Sequence, residues 1–212
     1  MEFVNVYDQV ANIAQIVRKC PNITLARAYV RAYRDFCNQT QWLKVSIPGA
    51  TVAGTVQYNL GTDTFTEITG VRAVQLTDAS GNKWGLSPAD SGGWNPNRPS
   101  SMPRQFSYVG QGQVALFPTP DAVYPLLVSA IVQPKSEAVT QIPSECLRKY
   151  SNEIEAGALA YLLTIPGQPW SNPAMAEGYG RAFRSGIANA KADVQRGHNV
   201  GSQRVRPRTI FT

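Results

Sequence analysis

Residues 143–164 read PSECLRKYSNEIEAGALAYLLT, and this stretch decides the architecture. Leu147, Tyr150, Ile154, Ala158 and Tyr161, with Ile165 just beyond, recur every three or four residues, the period of one helix face. Pro143 suits a first helical position, where its missing N–H is not needed. The spacing predicts a helix from Pro143 to about Thr164. Ala156-Gly157-Ala158 with Ala160 strips one side of bulk and leaves room for another helix to approach closely. Glu145 and Lys149 stand in the favourable order for a side-chain pair, worth only about 0.3 kcal/mol.

The partner helix follows directly. Asn172 offers a cap and Pro173 comes next; Tyr179, Phe183, Ile187, Ala190 and Val194 form an inward stripe, and Gly197 ends it. Joined by Pro166-Gly-Gln-Pro-Trp170, the two helices are expected to form an antiparallel hairpin. From His198 to Thr212 there is no apolar period, Gly201 and Pro207 interrupt, and the chain reads as an extended arm.

Upstream, after Trp42, the period changes to two. Val45, Ile47, Val56, Tyr58 and Leu60 alternate with polar neighbours around Pro48-Gly49 and Gly61. Further strands are predicted over Ile68 to Leu76, Lys83 to Leu86, Gln105 to Val109, Gln113 to Phe117 and Leu126 to Gln133. Asp78 to Asn82 and Gly110-Gln-Gly112 read as hairpin turns. Between strands, Ser91 to Pro103 is too rich in Gly and Pro to be an element and too long to be a minimal connector. Trp94 in it either packs on its own domain or anchors a neighbour, and with Arg98 it marks an interface loop.

At the start of the chain, Val6, Val10, Ile13 and Val17 predict a helix from Asn5 to Lys19, which Pro21 stops. A second, capped by Asn22 or Thr24, carries Leu25, Ala28, Tyr29, Ala32 and Phe36 on one side, and leaves Arg27, Arg31 and Arg34 to solvent. The expected fold is α+β: an antiparallel helical bundle built from N- and C-terminal helices (5–38 and 143–196), with a central β-rich insertion (43–134) and an extended C-terminal arm (197–212). Residues 1–196 are expected to form a single domain.

Composition supports a packed core: 43% of the 212 residues are apolar and 9% aromatic, which excludes disorder for most of the chain. The longest nearly apolar runs, Ala122 to Val132 and Ala156 to Pro166, fall well short of the roughly 18 residues a membrane span needs. Met1-Glu2-Phe3-Val4-Asn5 carries an acid where a secretory signal has positive charge, so the protein is expected to stay where it is made. Cys20, Cys37 and Cys146 are odd in number and distant in sequence. They read as reduced thiols, not as a disulfide framework or metal site.

Charge is unevenly placed. The chain is +6 overall, from 20 bases against 14 acids, yet residues 1–180 hold 13 of each. Residues 181–212 carry Arg181, Arg184, Lys191, Arg196, Arg204, Arg206 and Arg208 against Asp193 alone. Six of those seven bases are arginine, suited to bidentate recognition of carboxylate or phosphate. Two readings stand: a polyanionic partner, or a solvated basic end that aids solubility.

Catalysis needs convergent titratable groups, and few are present. His198 is the only histidine and adjoins the arm. Glu153 and Glu155, two apart on a helix, point about 200° apart and cannot share a substrate. One His and three scattered Cys give no metal-ligand spacing. Gly110-Gln-Gly112 leads into a strand instead of a helix, so the dinucleotide fingerprint fails on context. The expectation is a protein without enzymatic activity, cofactor or metal. No nucleic-acid reader motif appears, which leaves a sequence-nonspecific nucleic-acid-binding module as the alternative function.

Five stretches taken in order carry a resemblance. They are Asp35-Phe-Cys-Asn-Gln-Thr-Gln-Trp42, Ala115-Leu-Phe-Pro-Thr-Pro-Asp121, Ile142-Pro-Ser144, Glu155-Ala-Gly-Ala-Leu-Ala-Tyr-Leu-Leu163, and Pro169-Trp-Ser-Asn-Pro173 followed by Ala176-Glu177 and Ile187-Ala-Asn-Ala-Lys191. With the order helix, helix, β insert, helix, helix, basic arm, the chain resembles the head-to-tail adaptor (connector) proteins of tailed bacteriophages, particularly of short-tailed phages. The resemblance implies a virion protein that forms a homo-oligomeric ring, typically a dodecamer, beneath the portal protein, and presents a platform to the tail (nozzle) protein. It implies assembly in the host cytoplasm and no membrane partner, and it leaves passive contact with packaged DNA open. It also implies that the arm reaches into the portal, offering Arg204, Arg206 and Arg208 to acidic grooves and Ile210 and Phe211 as apolar plugs.

Overall fold

The structure, a computed structural model, describes residues 1–89 and 99–197. In chain order it contains β1 (Phe3–Asn5), α1 (Val6–Gln9), α2 (Ala11–Ile16), α3 (Asn22–Thr40), β2 (Lys44–Ala50), β3 (Gln57–Asn59), β4 (Thr66–Thr77), β5 (Lys83–Gly85), β6 (Ser87–Pro88), β7 (Gln105–Gly110), β8 (Gln113–Phe117), β9 (Pro125–Pro134), β10 (Gln141–Pro143), α4 (Leu147–Leu163) and α5 (Pro173–Gln195).

The first helix is not continuous. Asn5 caps α1 by accepting the Tyr7 N–H at 2.9 Å, and the helical run breaks at Val10, where ψ is 0°. Val6, Val10, Ile13 and Val17 are nevertheless all buried, as their period requires. Helix α3 buries Leu25, Ala28, Tyr29, Ala32 and Phe36 on one face, but starts behind Pro21 with no side-chain cap, so neither Asn22 nor Thr24 serves. It stops where Gln41 turns left-handed at φ 54° and donates its N–H to the Cys37 carbonyl at 2.8 Å.

Pro143 opens no helix. It closes β10, whose three residues pair antiparallel with β1 in the register Phe3 to Pro143, and α4 begins four residues later. At Tyr150 the helical geometry lapses (φ −122°, ψ 24°), where the ring packs against Phe36 and Trp42 with centroids 5.2 and 5.0 Å away. Asn172 caps α5 by accepting the Met175 N–H at 3.2 Å, with Pro173 next, as expected. The α4–α5 hairpin is antiparallel and close-packed. A Cβ at Gly157 would meet the Phe183 ring at 2.8 Å, and one at Gly186 would meet Glu153 at 2.3 Å. Lys149 pairs with Asp193 of α5 and not with Glu145, which precedes the helix.

Two four-stranded sheets form the β region, in the orders β2-β9-β4-β5 and β3-β8-β7-β6. Pairing is antiparallel except between β6 and β7, and the β7–β8 hairpin turns at Gly110-Gln111-Gly112, all three at positive φ. Strict alternation along β4 would put Arg72 on the same face as Ile68. Two irregularities in its pairing with β9 prevent this and bring Ile68, Val71, Val74 and Leu76 opposite Val132, Ala130, Val128 and Leu126, while Arg72 stays exposed. That shared apolar face is covered at one end by helices and at the other by the second sheet.

The expected antiparallel bundle with a central β-rich insertion is therefore corrected; the class, α+β, is as expected. Ile68 of β4 and Ala130 and Val132 of β9 belong to the same buried cluster as Tyr33, Phe36, Ile154 and Leu162 of the helices. Val74, Leu76, Leu126 and Val128 of the same two strands face Phe106, Val114 and Leu116 of the second sheet. The long strands carry apolar residues along their whole length, so the sheet is a wall of the helical core and not an appendage. Apart from Gly197, the expected arm lies outside the described residues.

Candidate docking surfaces

The residues singled out from sequence, Arg204, Arg206, Arg208, Ile210 and Phe211 in the arm and Trp94 and Arg98 in the loop, lie outside the described residues, as does His198. The described body does position the start of the basic segment. Ala176, Ile187, Ala190 and Val194 fix the inner face of α5. At 100° per residue this turns Arg181 and Arg196 outward and sets Arg184 and Lys191 side by side at one edge of the inner face, and all four are exposed. Arg181 bonds Glu177 at 3.1 Å, an exposed pair of little energetic weight.

Asp193 points the other way. Its carboxylate accepts the Tyr150 hydroxyl at 2.6 Å and pairs with Lys149 of α4. These contacts, Lys149 foremost, hold the carboxyl below its usual value, and burial followed by the Asp193 contact pushes the Tyr150 hydroxyl up. The sole acid of residues 181–212 is thus committed first to joining α4 to α5, which leaves the exposed bases of α5 in excess.

The arginines of α3 do not form the plain solvent stripe expected. Arg27 is exposed, but Arg31 lies over the Tyr161 ring at 4.2 Å and Arg34 bonds Glu67 at 3.0 Å. Gln133 donates to the same Glu67 oxygen at 2.8 Å, and Arg34 Nε is sealed from solvent without a partner among the described residues. Arg31, Arg34, Asp35, Asn38, Gln133 and Glu137 line a cleft of about 340 Å³. Desolvation raises the Asp35 carboxyl, against the pull of Arg31 and Arg34. Its charges are mixed and largely satisfied internally, which suits a buttress between α3 and β9 better than a ligand site.

Glu153 lies against Gly186 of α5, whereas Glu155 accepts from Asn12 and Ser151 at 3.4 Å each, so the two carboxylates face different neighbours. Among the described residues no group of His, Cys, Asp and Glu could hold a metal ion, and no helix is long and apolar enough to cross a membrane. All three cysteines are free and buried. Cys37 and Cys146, distant in sequence, bring their sulfurs to 4.0 Å across the α3–α4 contact, and burial pushes the Cys37 thiol up. No local pattern signals that meeting.

The family model described as SU10 adaptor protein matches residues 5–208. No curated protein matches the chain.

Proposed function

The chain belongs to the SU10 adaptor protein family, a family of phage adaptors, and from that premise we propose that it forms the ring joining portal to tail in a short-tailed virion. Its basic terminus docks into the portal, its body meets the tail protein, and its role is structural, without catalysis. One observation carries this reading: a neutral body with a positive end. Residues 1–180 balance 13 bases against 13 acids, and the one acid beyond them is held by Lys149 and Tyr150. A charged segment poor in apolar residues orders best on a partner of opposite charge, accepting the entropy cost on binding. Rings of like-charged subunits also need anions nearby, which portal carboxylates supply.

The test compares the full chain with one ended after Arg196 in a pull-down with the portal protein. Loss of binding in the short form is expected; undiminished binding overturns the docking role. The exposed bases of α5 favour a second reading, sequence-nonspecific nucleic-acid binding. That reading requires a DNA mobility shift whose affinity falls steeply with salt, and which survives removal of the terminal segment.

A further inference from the structure

The two sheets pass into each other at two corners on opposite flanks of the sandwich. At the first, between β2 and β3, residues 51–56 are stitched to 118–124. Thr51 N–H donates to the Tyr124 carbonyl, Gly54 N–H to the Pro120 carbonyl, and the Thr51 hydroxyl to the Ala122 carbonyl, each at 2.9 Å. The Tyr58 hydroxyl accepts the Val52 N–H at 3.0 Å and donates to the Thr55 carbonyl at 2.8 Å. These bonds hold out an apolar knob: Val52 is 56% and Val123 67% exposed, with exposed Ala53 and Ala122 beside them. The knob carries one charge, Asp121, which accepts the Tyr124 hydroxyl at 2.8 Å.

At the second corner, between β5 and β6, a largely apolar pocket of about 330 Å³ opens among Trp84, Gly85, Leu86, Met102, Pro103 and Arg104. Arg104 is its one charged residue; its side chain is exposed and has no ion pair among the described residues. Strands β2 and β5 are the opposite edges of one sheet, roughly 14 Å apart at the usual strand spacing. The pairings Ala50 to Pro125, Leu126 to Leu76 and Leu76 to Trp84 put the two corners at the same end of it. A convex apolar surface on one flank, a concave one at the same level on the other, and opposite charges on the two are the elements of a head-to-tail contact, the kind that generates rings.

We infer that the Val52–Val123 knob of one copy seats in the Trp84–Met102 pocket of the next, with Asp121 facing Arg104. This junction rests on the ring reading above and names the surfaces that close it. The experiment assembles particles with a chain carrying Val123→Cys and Gly85→Cys, treats them with a short bismaleimide and runs a denaturing gel. Both positions accept the change: Val123 is exposed, and a Cβ at Gly85 meets no atom within 4 Å. The native cysteines are buried from the reagent. A ladder at multiples of the 23.1 kDa chain, lost in either single variant, is expected. Chain present in particles but running as a monomer, or joined only to a band of another protein, overturns the junction and leaves the ring reading standing. Chain absent from particles overturns the ring reading, and the junction with it. As a second arm, Asp121→Arg weakens self-association by about tenfold or more, and Arg104→Asp in the same chain restores it; absence of rescue removes the contact between them.

Discussion

At Gly157 one hydrogen in place of a methyl sets how closely α4 and α5 approach. The Phe183 ring occupies the space a Cβ would take, at 2.8 to 3.0 Å from three ring carbons. Gly157→Ala is expected to cost about 1–3 kcal/mol by urea denaturation, as overpacking does. Phe183→Leu in the same chain should recover part of it, because the two changes are in contact and not additive. Asp193 offers a second test. Its carboxyl is depressed by Lys149 and Tyr150, so its contribution is present above the unfolded-state value and lost as pH falls through the lower folded value. Asp193→Asn should therefore lower the melting temperature at neutral pH, with the gap closing only in the acid range under about pH 3.9. A gap unchanged down to pH 2 would contradict the pairing.

Elements differed in how plainly the residues announced them. Helices α3 and α5, strand β8 and the Gly110-Gln111-Gly112 turn follow from local period and punctuation, and their core faces are buried as read except that Tyr179 and Phe183 of α5 are only half-buried against the core. What escaped was made by distant partners. Pro143 looks like a helix start until Phe3 of β1, 140 residues upstream, claims it for a strand. Strand β4 is legible over Ile68 to Leu76, but its buried face, Ile68, Val71, Val74 and Leu76, is not, because two pairing irregularities reset the alternation. The concentration of bases was countable from composition alone, but the knob and pocket, each built from separated loops, were not. Within α3, the left-handed Gln41 invites a direct check. Gln41→Gly relieves the Cβ conflict at φ 54° and should stabilise by a few tenths to about 1 kcal/mol in thermal melts. A loss of stability would mean that the Gln41 side chain does more than end the helix.

For the molecule as a whole, the core within residues 1–89 and 99–197 closes without the terminal arginines. Arg204→Glu with Arg206→Glu should thus weaken portal docking by about tenfold or more, as like charges now meet, while the melting temperature moves by less than about 2 °C. Equal losses in both measurements would place the arm in the fold itself. The sheet and the helices behave as one body because β4 and β9, paired from Thr66 to Leu76, run from one buried cluster into the other. Such a pair of ribs, shared by both clusters despite its two irregularities, leaves no hinge between the sandwich and the helices. In the ring proposed above, a push delivered at the corners by a neighbouring copy would be passed along the ladder as shear, and the subunit would tilt as a unit sooner than bend.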